Sequence, residues 1–368
     1  GDYGTIYLSH LLLLTESMNG FNGYVSGPTD WTWTAASLVA TNSWVSFSNP
    51  LVPTVTGDIR LDASTIKGFS DVAIGGNLTL TNGSVLHCYA QASNGVTPYG
   101  SLVAVTGTVS IASNCVLYPY SNPTNGGSIY FTAANLAVRA GGQINADGRG
   151  FAGGATNGYG PGRGTNSYGG GGYGGYGGRY PDCGGDIYGS SNAPADPGSG
   201  GAGSGTNTGF AGGGLVHFDV AGTATIDGLI TANGGDATNN RAAGSGGGIT
   251  IMADVFGQAT GTIRAQGGAQ FGAYAAGGGG RIARLFRSDG FSGTSSSAGG
   301  AGTNYAGATG TVYAALNGSY LIMTVAGTPA RHGVSAPFNY GSSGAYAGDV
   351  FTNSVNSPAD ELNGTRYH

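Results

Sequence analysis

Three times the chain repeats a glycine-led alternating strand followed, after a short gap, by Gly-x-Ile-x-Ala-x-Gly. The phrase reads Gly127-Ser-Ile-Tyr-Phe131 with Gly142-Gln-Ile-Asn-Ala-Asp-Gly148. It returns as Gly214-Leu-Val-His-Phe218 with Gly228-Leu-Ile-Thr-Ala-Asn-Gly234, and as Gly248-Ile-Thr-Ile251 with Gly261-Thr-Ile-Arg-Ala-Gln-Gly267. Gly228 and Gly261 are 33 residues apart. A fixed period of this size marks stacked repeats, each a unit that cannot bury its own apolar face. The first copy predicts strands at Ile129–Thr132, Leu136–Val138 and Gln143–Ala146, and about eleven coils over residues 1–316 rising about 4.8 Å each.

The same grammar extends upstream. Gly57-Asp-Ile-Arg-Leu61, Gly76-Asn-Leu-Thr-Leu80 and Gly107-Thr-Val-Ser-Ile111 alternate inward Ile, Leu or Val with outward polar residues, the pattern of a half-buried strand. Asn82-Gly83 supplies a corner. From the first copy to the second, Gly142 to Gly228, the spacing is 86 residues rather than 33. The excess is an insertion within about 150–212, carrying Tyr168-Gly-Gly-Gly-Gly-Tyr173-Gly-Gly-Tyr176-Gly-Gly-Arg-Tyr180. It reads either as a low-complexity loop or as side-chain-free backbone packed into polyglycine-II-like rods. Gly310-Thr-Val-Tyr-Ala314 echoes Gly4-Thr-Ile-Tyr-Leu8. The echo fits one unit of a tandem array, or a last coil resembling the first so that ends meet head to tail.

Composition separates order from disorder. Glycine makes up 76 of 368 residues and charged residues only 8%, yet net charge is −5 and tyrosines number 21. Disorder usually goes with high net charge and few aromatics, so the chain reads as ordered and β-rich. With one lysine, Lys67, it lacks the clustered cations that nucleic acid requires. The longest apolar run, Leu11–Leu14, is too short to span a bilayer. A start at Gly1 rather than Met suggests a processed segment.

The fold class expected is all-β: a single-stranded, right-handed parallel β-helix with a small C-terminal β module. Residues 1–50 form an aromatic-rich cap or first coils, 51–316 the helix with its insertion, and 317–368 the C-terminal module or assembly segment. Trp31 and Trp33 share a strand face and, with Trp44, serve as an end cap or a sugar-stacking platform, the cap being preferred. Tyr168, Tyr173, Tyr176 and Tyr180 are further assembly or adhesion candidates. Asn77, Asn82, Asn317 and Asn363 stand in Asn-x-Ser/Thr sequons. Cys88, Cys115 and Cys183 leave room for at most one internal bridge. A 31-residue alignment puts Cys115 over Ser84, four residues short of Cys88, which favours buried free thiols.

Candidate chemistry is sparse. Asp147 and Asp227 each precede glycine, a turn signal. His217 and Asp219 share a strand face and could act as an acid/base pair, without a nucleophile or third carboxylate at a matching position. Asp182, Asp186 and Asp196 could hold Ca²⁺ with loop carbonyls, the only cofactor the residues suggest. No catalytic site is assigned.

The repeat phrases, with Gly277-Gly-Gly-Gly-Arg-Ile-Ala283, resemble glycine-rich β-helical proteins secreted by bacteria, in the style of autotransporter passengers and filamentous adhesins. The tail from Asn353 to Tyr367 is similar to the start of a small β repeat module of bacterial surface proteins. The resemblance implies extracellular display. The first functional expectation is a structural subunit of an extracellular filament, tube or sheath, assembling with itself through exposed β ends. The second is a cell-surface adhesin or stalk that binds glycans. A polysaccharide lyase or hydrolase ranks last.

Overall fold

The computed structural model describes residues 4–7, 16–26, 32–93, 95, 99–179 and 183–316. Trp31, Tyr180, Asp182, Asn317, Asn363, the Leu11–Leu14 run and the C-terminal module lie outside the described residues. All described regular structure is β-strand or turn, and every pairing between strands is parallel.

The strands form three ladders. The first runs through Gly4–Tyr7, Asn22–Ser26, the start of Trp44–Val55, Thr65–Phe69, Val85–Tyr89, Val116–Tyr120, Gln143–Asn145, Leu229–Thr231, Thr262–Arg264 and Thr294–Ser296. The second runs through Thr32–Ala35, the end of Trp44–Val55, Val72–Ile74, Ser101–Val105, Ile129–Ala133 and the first halves of Leu215–Ile226, Gly248–Ala259 and Arg281–Phe291, ending on Thr311–Leu316. The third takes Ser17–Asn19, Leu38–Thr41, Ile59–Asp62, Leu78–Thr81, Thr108–Ile111, Asn135–Val138 and the second halves of the long strands. The chain visits third, first and second ladder in fixed rotation, an all-β parallel architecture compatible with a β-helix-like fold.

Strand alternation makes the core. Val45, Ile66, Leu86, Leu117, Ile144, Ile230 and Ile263 stand in register down the first ladder, and all are buried. Leu38, Ile59, Leu78, Val109, Leu136 and Ala224 do the same in the third. Phe131 stacks on Phe218 at 4.5 Å in the second. The strands expected in the first repeat are found at Ile129–Ala133, Asn135–Val138 and Gln143–Asn145.

The 33-residue period is local. Upstream, partners such as Asn22 and Trp44, or Trp44 and Thr65, are 22 and 21 residues apart, because those coils pass from the first to the second ladder without an excursion. Trp44–Val55 crosses the boundary expected at residue 50, and the ladders are continuous through it. The echoing phrases are not equivalent: Gly4–Tyr7 lies in the first ladder and Thr311–Leu316 in the second.

The insertion is packed. Together with the excursions of later coils it forms rods that are neither helix nor strand. Gly277 and Gly280 donate to Gly268 and Ala265, and Gly244 and Gly247 to Gly235 and Ala232. Donors three apart thus return to one neighbour. The residues between look elsewhere: Gly278 donates to Gly171 and Gly279 to Ala308. Three residues per turn with no internal hydrogen bonds is the polyproline-II habit, which matches the rod alternative. The spacing demands glycine: a Cβ on Gly277 would stand 1.8 Å from the Gly244 carbonyl oxygen.

Corners are stitched by side chains reaching one coil along. Ser43 Oγ accepts from Phe21 N–H, Ser64 Oγ from Ser43 N–H and Ser84 Oγ from Ser64 N–H. Asp147 Oδ1 accepts from Asn233 N–H, and Asn233 Oδ1 from Gln266 N–H. Buried Cys115 follows Ser84 at the next rung, and Cys88, Cys115 and Cys183 are all free thiols.

Candidate functional site

The outward parity of the first ladder carries a different set of residues. In register lie Tyr24, Ser46, Lys67, His87 and Tyr118, with Tyr89 beside Tyr120 two residues on. Their inward neighbours hold the core, so these side chains must face out. Tyr24 meets Trp44 edge-on at 5.2 Å, and Lys67 Nζ lies 5.5 Å from the Trp44 ring. His87 packs on Tyr118 at 4.9 Å and its Nδ1 is 3.1 Å from the Tyr120 hydroxyl. Tyr89 stacks on Tyr120 at 4.5 Å.

Arg149 completes the cluster from the corner after Gln143–Asn145. Its Nη1 donates to Asn145 Oδ1 at 3.0 Å and to the Asp147 carbonyl at 2.6 Å. That anchoring lays the guanidinium over Tyr118 at 4.1 Å and Tyr120 at 4.8 Å, a cation–π arrangement on both rings. Burial, then Lys67 and Arg149, pulls the His87 imidazole down to about 4, so it is neutral near pH 7. Burial also pushes the Tyr89 phenol up to about 12. Beside Trp44 opens a shallow cleft of about 360 Å³ lined by Asn22, Trp44, Thr65 and Asn82 among others. Half-buried rings, two fixed cations and amide-lined relief make a recognition surface.

The other expected residues are distributed. Trp33 is inward, over Pro53, and buried, which removes it as a sugar platform. Tyr173 is wholly buried in the rod lobe against Tyr188 and near Arg281, so it is core and not an adhesion residue; its glycine neighbours leave the space that the ring fills. Tyr168 stacks on Tyr274 at 5.1 Å, while Tyr176 is exposed beneath Arg179. Asn77 and Asn82 are exposed, but their amides are engaged: Asn77 Nδ2 donates to Asp58 and Asn82 Nδ2 to Asp62.

His217 and Asp219 lie outward on the second ladder, where Tyr130 packs on His217 at 4.3 Å and donates to Asp219 at 3.4 Å. Asp147 and Asp227 stand at bends and accept from Asn233 and Thr260 one coil on. Asp186 pairs with exposed Arg179 at 3.2 Å. Asp196 is buried, which raises its carboxyl above the usual range against the opposing pull of Arg281. Among the described residues no three His, Cys, Asp or Glu side chains gather as a metal site, and no helix is long and apolar enough to cross a membrane.

The stripe was missed by sequence reasoning that looked for motifs. The signal was available in part: the 31-residue alignment that places Cys115 over Ser84 also places Tyr118 over His87 and Tyr120 over Tyr89. Arg149 arrives from a corner and leaves no periodic trace. In comparisons with protein families, curated proteins and solved structures, nothing matches the chain.

Proposed function

We propose that the chain is a single-stranded, right-handed parallel β-helix that works as an extracellular, surface-displayed rod binding glycans along its first outer face. The winding is supported by the fixed rotation among three ladders and by the strong right-hand preference of parallel crossovers. The observation that carries the binding role is the stripe of Tyr24, Trp44, Lys67, His87, Tyr118 and Tyr120 with Arg149. Tyr and Trp suit surfaces where one edge is apolar and the other wet. Glycan-array binding lost in Tyr118→Ala/Tyr120→Ala, with an unchanged circular dichroism spectrum, is the expected result. A wild-type chain that binds no glycan, or a variant that binds as well, would overturn it.

A second reading, a self-assembling filament subunit, draws on the ends. Exposed Ile6, Val312 and Leu316 stand over Val25, Ile282 and Phe286. Low charge elsewhere removes a usual edge protection. Against it, the column over Ile251 ends in Arg284, only 12% exposed and paired to Asp289 at 2.9 Å, and the column over Ile263 ends in Ser295. Inward charge is a known device for blunting β edges. This ranks the filament below the capped rod. Electron microscopy decides: fibres abolished by Ile6→Lys or Val312→Lys would restore it, and monomers at every concentration would exclude it.

A further inference from the structure

The first outer face differs in sign from the molecule that carries it. The chain has net charge −5, yet its one lysine and Arg149 both lie on the stripe. Both act on His87 between them, each opposing its protonation, so a positive field converges there. The acidic groups nearby are otherwise engaged: Asp147 accepts from Thr231 and Asn233, and Asp62 accepts from Arg60 and Asn82. Arg149 uses Nη1 for Asn145 and Asp147, and Nη2 carries neither bond. The guanidinium is thus oriented before any ligand arrives, which lowers the ordering cost of binding.

Building on the glycan-binding reading above, we infer that the ligand is an acidic glycan, its carboxylate or sulfate groups held by Lys67 and Arg149 and its rings laid against Trp44, Tyr118 and Tyr120. Charge-assisted hydrogen bonds select the anion, and a planar guanidinium matches carboxylate and sulfate geometry. A nucleic acid fits less well, since two cations on an acidic chain cannot neutralise a run of phosphates.

Matched pairs of polymers separate the claims: polygalacturonate against its methyl ester, and dextran sulfate against dextran, titrated into the full chain at low salt. The acidic member of at least one pair is expected to bind about tenfold or more tighter, from one or two charge-assisted contacts, and to weaken as salt is raised. Lys67→Gln/Arg149→Gln should bring its affinity down to that of the neutral partner, with Arg149→Lys retaining part of the preference. Tyr118→Ala should weaken the acidic and neutral members alike. Equal binding of acidic and neutral members overturns the inference while leaving glycan binding intact, whereas no binding of any of the four overturns both. Displacement of the acidic glycan by a single-stranded oligonucleotide at lower concentration would reassign the stripe to nucleic acid.

Discussion

At the scale of single residues, His87 and the glycines of the rods make the sharpest tests. The imidazole falls from about 6.5 to about 4 on folding, chiefly through burial. A depressed folded value means that the unfolded chain binds the extra proton first. Stability contributed by neutral His87 is therefore full above pH 6.5 and is lost as pH falls toward 4. Thermal melts of His87→Gln should show a shallower loss of Tm over that window than the parent; parallel curves would contradict the assignment. Gly277→Val has no room beside the Gly244 carbonyl and should cost about 1–3 kcal/mol or more by overpacking, read as a lowered unfolding midpoint. Burial pushes the Cys88 thiol up to about 12. All three thiols should resist Ellman's reagent at pH 8 while folded and titrate fully on denaturation without reductant; a single reactive thiol after denaturation would reveal a bridge. The inward Ile, Val and Leu were legible because alternation states them outright. Tyr173 was not, since a tyrosine among glycines looks the same in sequence whether the glycines are a loose loop or the walls of its pocket.

Among elements, the strand supplies the apolar column and the corner supplies the stitch. Asp147 shows the division of labour, accepting from Thr231 Oγ1 at 2.7 Å and from Asn233 N–H. Asp147→Ala removes both acceptor contacts and should cost about 1–3 kcal/mol. Asp147→Asn keeps a carbonyl oxygen there and should recover at least half, as measured by chemical denaturation. Hydrogen exchange at residues 231–234 should accelerate in the alanine variant alone. The aspartate before glycine was readable as a turn. Its second task was not, because the partner lies 86 residues away across the insertion. The rods were readable only as one of two alternatives, since composition permits side-chain-free packing but does not state which carbonyl each N–H will find.

For the whole molecule, coil length is the variable that organises the rest. Coils of about twenty residues build a plain shaft, and coils that leave the first ladder for a glycine hairpin build a lobe on it. The 33-residue period was the loudest signal in the sequence because it belongs to the lobe, where glycine makes repeats conspicuous. The shorter coils carry the aromatic face and announce themselves weakly. The central claim is that successive windings lie in register, so that Val39, Arg60, Thr79, Ser110, Ala137 and Thr225 form one outward column of the third ladder. Spin labels report this directly. With one label at 225, a second at 60 or at 39 lies four or five rungs away, about 19 and 24 Å between backbones at about 4.8 Å per rung. Electron–electron resonance should show the two distances differing by one rung, with dipolar broadening for the pair 137 and 225; equal distances, or a nearer label at 39 than at 60, would contradict the stacked winding.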